Sequence, residues 1–130
     1  MTPRMARRLA ARVVTVALLV MSAGAASPKH VQTGLASIYG KGWQGRHTAS
    51  GGTFDPGAMT GSHASLPFGT RVRVTAIASG RAVEVTINDR PGRGAHHLID
   101  LTPAAARKIG LDHGTARVRV EVLNLLESPK

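Results

Sequence analysis

Apolar and polar residues alternate along three segments of this chain, a pattern typical of strands with one buried face. The segments are TRVRVTAI at 70–77, AVEVTIN at 82–88 and ARVRVEVL at 116–123. A short connection around ASG at 78–80 separates the first two, which predicts a hairpin. We therefore expect three regular strands, of which the first two pair with each other.

Weaker signals predict two shorter strands and one helix. GLASIYG at 34–40 alternates weakly between bounding glycines, and the segment 96–101 follows a turn rich in Pro and Gly. After it, Thr102 can cap a short helix that has proline at its first position and Gly110 just past its end. The segment 41–63 is rich in glycine and shows little periodicity, so it is expected to be a long loop.

The predicted elements indicate one mainly β domain. Five or six short strands with one small helix favour a closed barrel, since closure leaves no strand edge free to pair with another chain. A chain of 130 residues fits a single domain that buries a core without disulfides or metals. We place this domain at residues 34–124 and a tail at 125–130.

The first 25 residues have the three-part layout of a secretory signal peptide. Four arginines precede an apolar run over residues 13–21, and small residues follow up to Ala25. The apolar run is shorter than the roughly 20 residues that span a bilayer, and an uncleaved anchor is the alternative. We therefore expect export with cleavage after residue 25, a short leader at 26–33, and a periplasmic or secreted mature protein.

The amino-acid composition limits which partners this protein can bind and which kinds of site it can form. The chain has no cysteine, which excludes disulfides, thiolate zinc sites and a lipid anchor on cysteine. The histidines show no recognisable ligand spacing, so we expect no metal site. Removing residues 1–25 takes away four arginines and no acidic residue, so the net charge falls from +10 to +6. A basic exported protein favours the cell wall as partner over nucleic acid, because aromatic residues for base stacking make up only 3% of the chain.

Two aspartates flank the turn between the strands predicted at 82–88 and 96–101. Asp89 continues the apolar alternation of the first strand, so we expect it at the rim of the core and partly desolvated. A carboxyl group in such a place is suited to acid catalysis. Asp100 comes just before the predicted helix. The alternative is that Asp89 caps the turn and Asp100 orients the helix, since aspartate favours such local hydrogen bonds.

Several short motifs, in order and with matching spacing, resemble those of the rare lipoprotein A (RlpA) family. They are GLASIYG, GRHTASGG, FDPGAMTGSHASLPFGTRVRV, INDRPGRG, LIDLTPAAARKIGL and ARVRVEVL, which extend from about Gly34 to Leu123. The resemblance implies a six-stranded double-psi β-barrel, the fold of expansins and barwin-type proteins. It also implies peptidoglycan as the ligand and lytic transglycosylase activity. We expect a monomer that needs no cofactor.

The family motifs also imply roles for individual residues. Asp89 matches the aspartate of the strand-end motif and is expected to be the catalytic acid and base. His63 matches the histidine before the LP turn, where a neutral imidazole can bond sugar or hold the carboxylate. Asp100 would be a second carboxylate of the cleft. Four more residues are expected to bind substrate: Arg90, Tyr39, Trp43 and Thr48. The alternatives are a solvated turn cation for Arg90 and packing on the barrel for Trp43.

The chain departs from the family pattern at two places. Family members commonly carry Glu after TASG, whereas Gly52 stands here and cannot donate a proton. Asp55 is a candidate replacement, although its place before Pro56 is more typical of a turn former. The family's usual NDRGP order is NDRPG in this chain. Gly52 leaves open a non-catalytic module that binds or loosens the wall as expansins do. A third alternative, a basic module for another envelope polymer or protein, leaves the cleft residues unexplained.

Overall fold

Six strands and one short helix make up the described part of the chain. The computed structural model describes residues 30–39, 44–94 and 97–124. The elements are β1 (Val31–Ile38), β2 (Thr60–Ser62), β3 (Arg71–Ala76), β4 (Ala82–Asp89), β5 (Ile99–Leu101), α1 (Pro103–Lys108) and β6 (Thr115–Asn124). The predicted signal peptide and the predicted tail lie outside the described residues. Within those residues, no helix has the length and hydropathy needed to cross a membrane.

The strands close into a barrel in the order β1-β5-β2-β4-β3-β6, with β6 returning to β1. Two pairs are parallel, β1 with β5 and β2 with β4, and the other pairs are antiparallel. The predicted hairpin joins β3 to β4 and places Val72 opposite Val85. Every described strand thus has two neighbours and no open edge. The prediction of a mainly β closed barrel is confirmed.

Alternation along the long strands fills the barrel with aliphatic side chains. In β3, β4 and the middle of β6, apolar residues at every second position are buried, and the arginines and glutamates between them lie on the outside. The largest fully buried apolar residues are Ile87, Ile99, Leu101, Val72, Val74, Val85, Val118 and Val120. Each of these side chains contributes about 1.5–3 kcal/mol by leaving water. Helix α1 adds Ala105 and Ala106 to the same core.

The helix forms where its start and stop signals predict it. Thr102 is the N-cap, and its Oγ1 accepts a hydrogen bond from the Ala105 amide at 3.2 Å. Pro103 occupies the first turn, where its missing N–H is not needed. Gly110 follows with a φ of 77°, a conformation that glycine adopts without steric cost. Because Thr102 directly follows β5, the cap fixes the end of the strand that carries Asp100.

Three strands differ from the sequence-based expectation. Strand β1 begins at Val31, inside the predicted leader, because residues 31–37 pair with β6. Strand β2 lies within the predicted loop 41–63, and its three residues, TGS, are too few and too polar to show alternation. Strand β5 is limited to Ile99–Leu101, and all three of its residues are buried instead of every second one. In each case the strand is set by pairing with residues distant in sequence.

Candidate active site

Strand register brings four polar residues into one row across β1, β5, β2 and β4. Ser37 lies opposite Asp100, which lies opposite Ser62. A register shift after Gly61 then aligns Ser62 with Asp89. Residues opposite each other in neighbouring strands share a face of the sheet. The two aspartates are therefore separated by one short strand, with the Ser62 side chain between them.

Asp89 ends β4 with its carboxyl group held by the backbone. Its Oδ1 accepts hydrogen bonds from the amides of Ala49 and Arg90, each at 2.9 Å. The residue is 8% exposed, so the expected partial desolvation is confirmed. Since Oδ1 makes both of these bonds, a transferable proton belongs on Oδ2.

The second carboxylate, Asp100, is 9% exposed and has two partners close by. Ser37 Oγ donates a hydrogen bond to Asp100 Oδ1, and His97 Nδ1 lies 3.7 Å from the same oxygen. Between the two carboxylates, Ser62 Oγ is buried and has no hydrogen-bond partner among the described residues. A buried hydroxyl without a partner is costly, so this group is suited to bonding a ligand.

Tyr39 lies beside both carboxylates. Burial raises the pKa of its hydroxyl above the usual value, and the negative charges of Asp89 and then Asp100 raise it further. The ring packs edge-on against Phe54, with 5.0 Å between the ring centroids. Its hydroxyl is buried and has no hydrogen-bond partner in the described ranges. The phenol stays neutral, so it can donate to a polar ligand at the carboxylates.

The loop 44–54 supplies the amide that holds Asp89. Its tight turn is closed by the Thr48 amide, which donates to the Gly52 carbonyl at 2.8 Å. Thr48 is buried, and its hydroxyl bonds within the same turn. This turn presents the Ala49 N–H to the carboxyl oxygen. Thr48 thus positions the acid through the loop, and its contact with substrate stays a prediction.

Gly52, which stands where the resemblance implies a Glu, lies on the same turn. Gly52 is exposed, and a Cβ added there would meet only Thr48 Oγ1, at 3.7 Å, which is ordinary van der Waals contact. A side chain therefore fits at this position without moving the loop. Asp55, the candidate replacement, is exposed, and its Oδ1 accepts the Gly57 amide at 2.8 Å. Asp55 therefore stabilises a local turn, as expected for an aspartate directly before a proline.

His63 is buried, but its imidazole bonds partners other than the carboxylates. Nδ1 accepts the amides of Ser65 and Leu66, each at 3.1 Å, which requires a lone pair on Nδ1 and places the proton on Nε2. Nε2 then donates to Gln32 Oε1 at 2.9 Å. Only the main-chain amide of His63 reaches Asp89, donating to its carbonyl at 3.2 Å. The imidazole thus does not hydrogen-bond the Asp89 carboxylate. Of its two expected roles, holding the carboxylate is therefore not seen, and bonding to sugar stays a prediction.

Arg90 braces the turn that follows His63. Its Nη1 donates to the carbonyls of His63 and Leu66 at 2.9 and 2.8 Å. The guanidinium carbon lies 4.1 Å from the centre of the Phe68 ring, a cation–π contact. Burial lowers the pKa of His63, and this positive charge lowers it further. The alternative of a solvated turn cation is therefore wrong, and substrate binding by Arg90 stays a prediction.

The predicted site residues fall into two groups in the structure. The group at the carboxylates consists of Asp89, Asp100, Tyr39 and Thr48. The group in the adjoining turn consists of His63 and Arg90. Trp43 lies outside the described residues. Sequence reasoning missed Ser37 and Ser62, because a single serine in a short strand gives no signal until the register is known. Nowhere in the described ranges do three side chains of His, Cys, Asp or Glu group in a way that could hold a metal ion.

A model of a known protein family covers most of the barrel. The family described as lytic transglycolase matches residues 31–120 of this chain. The matched range starts at the first residue of β1 and reaches into β6. This chain belongs to the lytic transglycolase family. The resemblance read from its motifs is thereby confirmed.

Curated members of the lytic transglycolase family share clear sequence identity with this chain. It is 54% identical over 93 residues to a probable endolytic peptidoglycan transglycosylase RlpA of Nostoc sp., covering 69% of this chain and 25% of the relative. It is 40% identical over 94 residues to the endolytic peptidoglycan transglycosylase RlpA of Yersinia pestis, covering 72% of this chain and 26% of the relative. The chain thus spans about a quarter of the length of these two relatives.

Solved structures with much lower sequence identity to this chain show the same architecture. A Streptomyces papain inhibitor superposes with a TM-score of 0.59 at 21% identity, covering 75% of this chain and 98% of the inhibitor. A mutant expansin of Clavibacter michiganensis in complex with cellohexaose gives a TM-score of 0.59 at 19% identity, covering 77% of this chain and 54% of the expansin. At such identities the likeness shows the fold, which is the double-psi β-barrel that the resemblance implied.

Proposed function

We propose that this chain cleaves the glycan strands of peptidoglycan as an endolytic lytic transglycosylase, with Asp89 as the catalytic acid and base. The observation that carries the proposal is the Asp89 carboxyl group, which is 8% exposed, fixed through Oδ1 by two backbone amides and in one row with Asp100. The substrate class comes from the relatives, which are named endolytic peptidoglycan transglycosylases.

The reaction needs Asp89 to give one proton to the departing sugar and then to take a different proton from the sugar that is cleaved. Protonated Oδ2 donates its proton to the glycosidic oxygen as the bond between that oxygen and the anomeric carbon breaks. The resulting carboxylate accepts the proton of the sugar's own hydroxyl, whose oxygen attacks the anomeric carbon and closes an anhydro ring. No water is consumed, and the carboxyl group returns to its starting state. One acid therefore suffices, whereas ordinary glycosidases need two carboxyl groups.

The other residues of the row support this chemistry. Asp100 places a negative charge one strand away from Asp89, where it stabilises the positive charge that develops at the anomeric carbon. Ser37 holds one oxygen of Asp100 in place. The hydroxyls of Tyr39 and Ser62, which have no partner among the described residues, donate to hydroxyl or acetamido oxygens of the sugar.

Mass spectrometry of soluble products from purified sacculi tests the reaction class. Transglycosylation leaves anhydro ends and hydrolysis leaves reducing ends, so the two kinds of product differ by the mass of one water. We expect anhydromuramyl products from the parent protein and none from a heat-inactivated sample. Products with reducing ends alone would refute the transglycosylase mechanism.

Gly52 supports a second candidate, a wall-binding module without activity. The family resemblance implies a Glu at this position, where this chain has Gly. The expansin that shares the fold was solved in complex with cellohexaose, a glycan. This candidate predicts that the protein sediments with purified sacculi and releases no soluble product. Anhydromuramyl products from the same preparation would exclude it.

We also propose that the protein is exported and acts in the cell envelope. The support is the three-part layout of the first 25 residues, with four arginines, an apolar run and small residues before Ser27. N-terminal sequencing of the protein recovered from the envelope tests this. A first residue near position 26 is expected, and an intact Met1 would contradict cleavage.

A further inference from the structure

Two open cavities, of about 230 and 200 Å³, adjoin each other beside the candidate active site. Both are lined by Ile38, at the end of β1, and by Asp112, in the loop after α1. The cavities are neighbours that share these two residues, and we call the pair the α1 trough. The residues that line it include Ile38, Tyr39, Arg107, Leu111 and Asp112.

The α1 trough combines aliphatic walls with a polar rim. Leu111 belongs to the hydrophobic core and Ile38 packs against it, so both side chains are held in place. At the rim, Asp112 is an exposed acceptor and Arg107 an exposed donor. A pyranose has the matching pattern, with C–H groups on the faces of its ring and hydroxyl or acetamido groups around the edge. The mixture of apolar walls and a few polar groups is also typical of small-ligand sites.

Tyr39 connects the α1 trough to the carboxylates. Its side chain lines the first of the two cavities, and its buried hydroxyl lies within electrostatic reach of Asp89 and Asp100. A glycan strand that is cut within its length has to lie on the protein on both sides of the scissile bond. A depression that shares Tyr39 with the candidate site is therefore a place for one of the two sides.

We propose that the α1 trough binds the glycan strand on one side of the scissile bond, with one amino sugar against Ile38 and Tyr39 and the next against Leu111 and Arg107. This inference rests on the proposed function for the identity of the glycan. It assigns a binding role to the helix end and to the loop that follows it.

A peptide fits this surface less well than a glycan. Extended peptides commonly bind by adding a strand to a free sheet edge. Strand β1, which borders the trough, is paired with β5 on one side and β6 on the other. The Tyr39 amide just beyond β1 is also used, donating to the Leu101 carbonyl at 3.0 Å. The strand that borders the trough therefore offers no free edge, and recognition there depends on side chains.

Binding of soluble glycan to the Asp89→Asn variant tests the inference. The probe is a stem-peptide-free peptidoglycan tetrasaccharide, and amide chemical shifts report where it binds while turnover is prevented. We expect shifts at residues 107–114 as well as around the carboxylates. Adding Asp112→Ala or Arg107→Ala should raise the Kd about tenfold, the loss expected for a hydrogen bond to a charged group. Arg117→Ala is the matched control, because Arg117 is an exposed arginine that lines neither cavity, and it should leave the Kd unchanged.

The outcomes separate this inference from the proposed function. Unchanged shifts at residues 107–114, or a Kd that both substitutions leave intact, would overturn the inference. It would also be overturned if free stem peptide shifted these amides and the glycan did not. The proposed function is judged by the products that the parent protein releases from sacculi. If products are released but the amides at residues 107–114 do not shift, the inference is wrong and the proposed function stands. If those amides shift but no products are released, the proposed activity is wrong and the inferred binding surface stands.

Discussion

Acidification should destabilise this protein through His63. The folded imidazole is neutral, with two amide donors at Nδ1, and burial followed by the Arg90 charge lowers its pKa. In the unfolded chain the same ring takes up a proton near its ordinary pKa of about 6.5. Between that value and the lower folded pKa, the unfolded state binds more protons than the folded state. The stabilisation is therefore complete above the unfolded pKa and is lost as the pH falls toward the folded pKa.

The size of the effect follows from the hydrogen bonds and from proton linkage. A proton on Nδ1 would leave the amides of Ser65 and Leu66 without an acceptor, at a cost of about 1–3 kcal/mol for each donor that stays buried. This cost acts in the same direction as burial and the Arg90 charge, which lower the pKa of His63. Within the window where the two states differ by one proton, the free energy of unfolding changes by about 1.4 kcal/mol per pH unit.

Urea unfolding at about pH 7.5 and about pH 5.5 measures this slope in the parent and in His63→Asn. Asparagine does not titrate, and its side-chain oxygen can still accept the amides that follow it. The variant should be less stable near pH 7.5, because the bond to Gln32 and the volume of the ring are lost, but the difference should shrink as the pH falls. His113→Asn, at an exposed position, should keep the slope of the parent. Equal slopes in the parent and in His63→Asn would refute a neutral buried imidazole.

Three further substitutions test the site and the packing. Gly52→Glu should raise the initial rate of product release from sacculi several-fold, because a Cβ there meets only Thr48 Oγ1, at 3.7 Å, and the new carboxylate lies on the turn that holds Asp89; an unchanged rate would show that a carboxylate at position 52 is not needed. Gly34→Ala should lower the free energy of unfolding by about 1–3 kcal/mol, since its Cβ would lie 2.9 Å from Leu98 Cβ, and parent-like stability in urea would contradict that clash. Ile99→Ala should cost about 2–5 kcal/mol in the same assay because Ile99 is fully buried, and a negligible loss would show that the core refills the space.

Hydrophobic alternation predicts three of the four longer strands described in this barrel, because each of the three has one buried face. It predicts β3, β4 and β6 and the hairpin between the first two, and the capping residues predict α1. Alternation fails for β2, since TGS contains no large apolar residue and pairs with residues far along the chain. It also fails for β5, which is buried at three consecutive positions. Short strands of this kind are defined by their neighbours, and sequence order does not show which neighbours those are.

The same distinction applies to the site. Asp89 and Asp100 are recognisable in the sequence as carboxylates at strand ends and in family motifs. Ser37 and Ser62 become relevant only because the register places each of them opposite an aspartate. The motif locates His63, but the partners of its two ring nitrogens come from a turn and from a separate strand. Contacts that depend on register and on turn geometry are therefore the part that required the structure.

Product release by Asp89→Asn, compared with Asp100→Asn, tests the central claim most directly. Asparagine at position 89 keeps an oxygen that can accept the Ala49 and Arg90 amides, so the substitution removes the proton and preserves the geometry. Loss of a general acid costs about a hundredfold or more in rate. We predict that anhydromuramyl products from sacculi fall by at least that factor in Asp89→Asn while sedimentation with sacculi is unchanged, and that Asp100→Asn keeps part of the activity. Parent-like release by Asp89→Asn would contradict the assignment of this carboxyl group as the catalytic acid and base.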